Sequence, residues 1–316
     1  SRSRWRTFER RWSVVSDGRS SSPWGRLLSR KGITDRPRAR AEWSLGGARS
    51  CERGSVKRAR LNGVVLYRFD GLDGTDGLLH AILTRIGGVS RGPYATLNLG
   101  HTVGDDLAAV EENHRRALGP LGLDPGQVIS PWQVHGAAVG VVGPEQLGTI
   151  RPQTDALVTA APDVPLMMRF GDCTPLLLFD PVRRAIGLAH AGWRGVVAGV
   201  VGASIQTMTE RLGCTPSEIW AGIGPTIGPC CYEVGTDVAR QIAAACPPGT
   251  EVVHSVNGQL HADLPAAVEA QLRAAGVERV EHADLCTSCR VDEFFSHRAE
   301  DGRTGRFGVV IGLTHG

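Results

Sequence analysis

The sequence predicts an α+β fold with mixed sheets. Three observations carry this: apolar runs of strand length, 3.6-period stretches of helix length, and an alternation of the two that lacks a regular strand–helix–strand rhythm. A doubly wound parallel sheet would need that rhythm. At 316 residues the chain has ample material for one large domain or two small ones.

The first sixty residues stand apart. They hold 15 Arg and 2 Lys against 5 acidic residues, a charge of +12, with four Trp and clusters of Ser and Gly. No period of 2 or 3.6 is sustained there, so residues 1–61 are expected to be a basic, disordered N-terminal extension and 62–316 the folded domain. The overall charge of +3 hides a domain side that carries −9. Arg and Trp can pair with phosphates and stack on bases. Biased composition produces the same features, so nucleic acid is not the expected partner.

From residue 62 the text changes. Val64–Phe69 and Leu78–Thr84 read as strands. Asp105–Leu118 reads as a helix, with an Asp at its start and Leu107, Val110, His114 and Leu118 on one face; His114 is expected to be a packed core histidine. Asp155–Thr159, Pro165–Phe170, Pro175–Phe179 and Ala185–His190 are short enough to be buried strands. Gly195–Leu212 predicts one helix, stopped by Gly213. Ile219–Ile223 is a further strand, Asp237–Ala245 and Leu264–Ala275 are helices, and Phe307–Leu313 is a closing strand. Gly87-Gly88 and the Gly/Pro-rich run 222–229 mark loops.

Composition narrows the class. A hydrophobic content of 41% and a charged content of 21% are those of an ordinary soluble globular protein. No run approaches the roughly 18 apolar residues of a membrane span, and the N-terminus lacks a secretory apolar region. Eight cysteines are too few and too irregularly spaced for a disulfide scaffold, which predicts reduced thiols in a cytoplasm.

Three stretches set a metal-grade side chain among glycines, prolines and apolar residues: Gln133-Val134-His135-Gly136, Gly171-Asp172-Cys173-Thr174-Pro175 and Ala189-His190-Ala191-Gly192-Trp193-Arg194-Gly195. A His/Cys/His set leaves the fourth position of tetrahedral zinc open, and water there ionises near neutral pH. Taken singly, His135 reads as a structural histidine and Cys173 as a small buried hydrophobe. His190 ends a strand before a Gly-rich turn, a common setting for catalytic groups. Asp172 either orients a ligand and moves protons or is structural. Arg194, in the turn that opens a helix, suits an anion such as phosphate, and Arg85 before Gly87-Gly88 is a second candidate. Cys286-Thr287-Ser288-Cys289 lacks a second pair at zinc-ribbon distance, and the vicinal Cys230-Cys231 is not expected to supply it.

The ordered set Gly88-Val89-Ser90, Leu97-Asn98-Leu99-Gly100, Gln133–Gly136, Thr154-Asp155-Ala156, Asp172-Cys173, His190–Gly195, Tyr232-Glu233-Val234, Phe294-Phe295-Ser296 with Arg298, and Thr304-Gly305-Arg306 resembles the YfiH-type laccase-domain family over about residues 62–316. That family was labelled polyphenol oxidase and is now regarded as purine nucleoside phosphorylases with adenosine deaminase activity. The resemblance implies two α+β subdomains with mixed sheets flanked by helices, and zinc on the residues matching His135, Cys173 and His190. It implies purine nucleosides and phosphate as partners, in a monomer or homodimer. Phe170-Gly171 departs from the frequent Thr-Ala, and His297 from the common Tyr.

Two competing chemistries share these residues. A His₂Cys set with a weak axial Met suits copper, and Met167 and Met168 precede Cys173; but no His-x-His pair offers the histidines of a multicopper centre. The other is a metal-free hydrolase with Cys173 as nucleophile and a histidine as its base.

Overall fold

The computed structural model describes residues 55–314; residues 1–54 of the expected extension lie outside them. Strands β1 (Val56–Leu61) and β2 (Val64–Phe69) form a hairpin closed by Asn62-Gly63. Both turn residues have positive φ, 47° and 88°, as a two-residue turn matched to strand twist requires. Next come β3 (Leu78–Leu83) and helix α1 (Leu107–Leu118), whose first turn is capped by Asp106 accepting the Ala108 N–H. The chain continues through β4 (Ser130–Pro131), β5 (Val139–Val141), β6 (Ile150–Arg151), β7 (Ala156–Thr159), β8 (Leu166–Phe170), β9 (Thr174–Asp180) and β10 (Ala185–Ala191). Helices α2 (Trp193–Ala198) and α3 (Val200–Leu212), strand β11 (Trp220–Ile223) and helix α4 (Thr236–Ala244) follow. The hairpin β12 (Val253–Val256) and β13 (Gln259–Ala262), helix α5 (Leu264–Ala274), β14 (Arg279–His282) and β15 (Phe307–Leu313) complete the described chain.

Two sheets stack between helices. One has the order β1-β2-β3-β15-β8 and is antiparallel throughout; the other, β14-β11-β9-β10-β7-β5, carries parallel pairs at its two ends. The mixed character expected from sequence therefore resides in the six-stranded sheet. Side chains alternate along each strand and so sort into three cores. Leu177 and Phe179 of β9 meet Met168 and Phe170 of β8 in the core between the sheets. Leu176 and Leu178 of β9 face the other way, onto Val200, Ile205 and Val268 of α3 and α5. Met167 of β8 and Val310 of β15 lie with Ala117 and Leu118 of α1. The result is a helix–sheet–sheet–helix stack.

Three expectations need correction. The extension does not reach residue 61: β1 pairs residue for residue with β2, and its exposed Lys57, Arg58 and Arg60 lie on an edge strand, which reads as a basic tail by composition alone. The single helix over 195–212 is two helices. It begins at Trp193, and Gly199, at φ 85°, ends α2 with its N–H on Gly195 and Val196 carbonyls before α3 resumes. Leu107 is 48% exposed, because it opens α1 rather than facing the core with Val110, His114 and Leu118. Among the described residues no helix is long and apolar enough to cross a membrane.

Candidate metal centre

The fold brings three distant loops together. His135 lies between β4 and β5 at φ 63°, with its side chain exposed. Cys173 ends the three-residue step from β8 to β9, in which Asp172 takes φ 87°. His190 is near the end of β10, opposite Pro175 of β9, and is 4% exposed. The ligand atoms of His135, Cys173 and His190 all lie within 4.8 Å of one another. The two imidazole centroids are 4.8 Å apart, edge to face.

Asp155 organises them, although in sequence it reads only as the first residue of a strand. Its carboxylate is fully buried. Oδ1 accepts the His135 N–H at 2.9 Å and pairs with His190 Nδ1 at 2.9 Å; Oδ2 accepts the N–H groups of Val134 at 3.1 Å and Gly136 at 2.8 Å. Burial pushes its carboxyl up, but the bonds to His190 and these amides more than offset that and hold it below the ordinary range. Because Nδ1 of His190 is engaged, Nε2 is the nitrogen left for a ligand, the arrangement by which carboxylates orient metal-binding histidines. The available signal was a charged residue opening a short, mostly apolar strand, where burial is costly unless the charge is tied.

Electrostatics favour a soft cation. Burial pushes the Cys173 thiol up, yet the charge of His190 and hydrogen bonds with both imidazoles bring it down to about 6. Burial pushes His190 down, and the thiolate together with Asp155 carries it up to about 9. The pair thus keeps an ionised sulfur at neutral pH. Gly192 leaves the space: a Cβ there would sit 2.7 Å from Cys173 Sγ and 3.1 Å from His135 Cδ2. One thiolate and two imidazoles with room beside them fit zinc and leave a coordination position open.

The other expected site residues divide. Both carboxylate oxygens of Asp172 are engaged: Oδ1 accepts Thr287 Oγ1–H and Oδ2 the Arg298 N–H, each at 2.7 Å. These bonds tie the turn before Cys173 to residues 287 and 298. Arg194 is exposed, its guanidinium 4.3 Å over the Trp193 ring. Arg85 is held elsewhere, by the Ala95 and Val291 carbonyls and Glu300, with its guanidinium over Phe295. That set locks a loop to the C-terminal segment. His114 is buried and bonds the Leu99 carbonyl at 3.0 Å, as expected. Met167 and Met168 are buried on opposite faces of β8.

Two features were missed. Arg306 lies within charge reach of Cys173 and Asp172, and burial lowers its pKa. Cys230 and Cys231 do converge on Cys286 and Cys289, with all four sulfurs within 4.8 Å.

A family model described as multi-copper polyphenol oxidoreductase laccase matches residues 79–314. Purine nucleoside phosphorylase YlmD of Geobacillus stearothermophilus is 38% identical over 247 residues, covering 75% of this chain and 90% of its own. Purine nucleoside phosphorylase ORF3 of Streptomyces griseus is 44% identical over 234 residues, covering 74% and 93%. The crystal structure of YlmD from G. stearothermophilus superposes with a TM-score of 0.78 at 35% identity, covering 83% of this chain and all of that one. The YfiH protein of Bacillus licheniformis gives 0.75 at 30% identity, covering 80% and 97%.

Proposed function

The chain belongs to the YfiH-type laccase-domain family, and we propose that it is a zinc-dependent purine nucleoside phosphorylase that also deaminates adenosine hydrolytically. Its substrates would be adenosine, inosine, guanosine and methylthioadenosine, cleaved by phosphate to the free base and the sugar 1-phosphate. One observation carries the reading: His135, Cys173 and His190 form an open donor set, pre-oriented by Asp155, at an exposed loop. Relatives at 38% and 44% identity bear the phosphorylase name.

His135, Cys173 and His190 would hold zinc, which would supply a Lewis acid able to polarise a substrate oxygen or lower the pKa of water. The remaining work falls to the protein. A phosphate oxygen must bond to C1′ as the bond to the base breaks, the base leaving with the electron pair and taking up a proton. Exposed Arg194 would hold that phosphate, helped by the charge of Arg306, which lies within reach of Cys173 although its Nη1 is tied to the Thr304 and Gly305 carbonyls. Arg85 is not assigned to it, because its guanidinium is already committed. The deaminase part rests on the donor set, which is of the kind used by zinc nucleobase deaminases.

A copper oxidase would need a histidine-rich cluster. Among the described residues, His and Cys side chains with ligand spacing converge only at this trio and at the four cysteines. The depressed Cys173 thiol also suits a cysteine hydrolase, in which thiol alkylation would stop activity while zinc stays bound.

The test is release of adenine and inosine from adenosine, with and without phosphate. Adenine should appear with ribose 1-phosphate only when phosphate is present, and inosine in either case. Cys173→Ala should abolish zinc loading at the His135–Cys173–His190 trio and both activities; unchanged phosphorolysis in a variant with no zinc at the trio sinks the reading.

A further inference from the structure

We propose that Cys230, Cys231, Cys286 and Cys289 form a second metal site, a closed four-thiolate centre for zinc that staples two turns beneath the catalytic loop. In sequence the Cys-x-x-Cys pair lacks a partner. The fold supplies one by laying the turn after β11 beside residues 285–289: the Thr226 N–H donates to Leu285 O at 3.1 Å, and the Thr287 N–H donates to Thr226 O at 3.0 Å.

The geometry is that of a donor cage. All four sulfurs lie within 4.8 Å of one another, with edges of 3.5 Å from Cys230 to Cys289 and 3.4 Å from Cys231 to Cys289. Four sulfurs about 2.3 Å from a central zinc would stand about 3.8 Å apart, whereas a bonded pair would stand at about 2.05 Å. The Gly228 N–H points at Cys286 Sγ at 3.3 Å, a bond that favours the thiolate. Cys286 is buried, while Cys230 and Cys289 are exposed, so the cage opens to solvent on one side for loading. Each thiol gives its proton to solvent as its sulfur binds, so loading weakens in acid.

Four protein ligands leave no position for water, which marks a structural site, unlike the open trio. What it would hold is specific. Thr287, between Cys286 and Cys289, donates its hydroxyl to Asp172, and the Ile227 N–H donates to the Asp172 carbonyl at 3.0 Å. Asp172 in turn precedes Cys173.

The test uses the full chain purified under reducing conditions with metal-free buffers, with zinc counted by elemental mass spectrometry. Wild type should carry two zinc ions. Cys173→Ser should keep one, and the double variant Cys286→Ser/Cys289→Ser should lose one and melt at lower temperature. If wild type holds one ion that Cys173→Ser keeps and the double variant loses, this site stands and the zinc reading of the trio fails. If wild type holds one ion that Cys173→Ser loses, this site is refuted. Should the double variant not fold, thiol labelling of Cys173→Ser decides. Exposed Cys230 and Cys289 should react only after a strong chelator; immediate reaction, or a mass two hydrogens lower from a disulfide, overturns the proposal.

Discussion

A buried carboxylate that accepts three backbone amides and one imidazole sets the spacing of two ligands before any ion arrives. Asp155→Asn keeps the shape but turns an acceptor into a donor facing N–H groups. We expect about 10–100-fold weaker zinc binding, read by competition with a chromophoric chelator, with the fold retained. Gly192→Ala tests the cradle from the other side, since its methyl would press on Cys173 Sγ and His135. It should lower zinc occupancy without a comparable loss of melting temperature; full occupancy would show that the loop yields. At this scale the sequence showed the ligands by type and setting. It hid Asp155 and Arg306, whose roles come from contacts with residues 19 to 35 positions away or across the sheets. It also could not show that Arg85 was already occupied by Ala95, Val291 and Glu300.

The break between α2 and α3 isolates one cause. A Cβ at Gly199 meets nothing within 4 Å, so only its φ of 85° resists substitution. Gly199→Ala should therefore cost about 1–2 kcal/mol in urea unfolding. A neutral result would mean that the two helices can fuse. Strands β8, β9, β10 and β15 were readable because each is almost wholly buried and mostly apolar. Strand β1 and the hairpin β12–β13 were not read, because they are partly exposed and carry polar residues, whereas the buried β2 was read. Asn62-Gly63 and Asn257-Gly258, all at positive φ, were the signals to use.

Across the whole molecule, Glu293 ties the first hairpin to the C-terminal segment. It accepts Arg58 Nε at 2.6 Å, Arg290 Nη2 at 2.7 Å and the Tyr67 hydroxyl. Burial pushes its carboxyl up, but these partners hold it below the ordinary range. A depressed carboxylate adds stability above its unfolded value of about 4.3 and loses it as pH falls through the lower folded value. Glu293→Gln should thus flatten the acid side of the stability–pH curve; parallel curves for variant and wild type would remove Glu293 from the account. The same tie sets the domain boundary. A chain beginning at residue 55 should melt like the full chain. One beginning at residue 62 loses β1 and the Arg58 contact, and should melt lower by about 2–4 °C for each kcal/mol lost. Equal melting temperatures would place the boundary where composition drew it.

Cys173 rides the three-residue step by which the chain leaves one sheet for the other, while His190 belongs to the second sheet alone. An ion bound to both is a rivet through the seam between the layers. Sliding one sheet over its neighbour would change the sulfur–imidazole span before it broke any strand pairing. Grip on the ion therefore doubles as a gauge of how well the two layers stay in register.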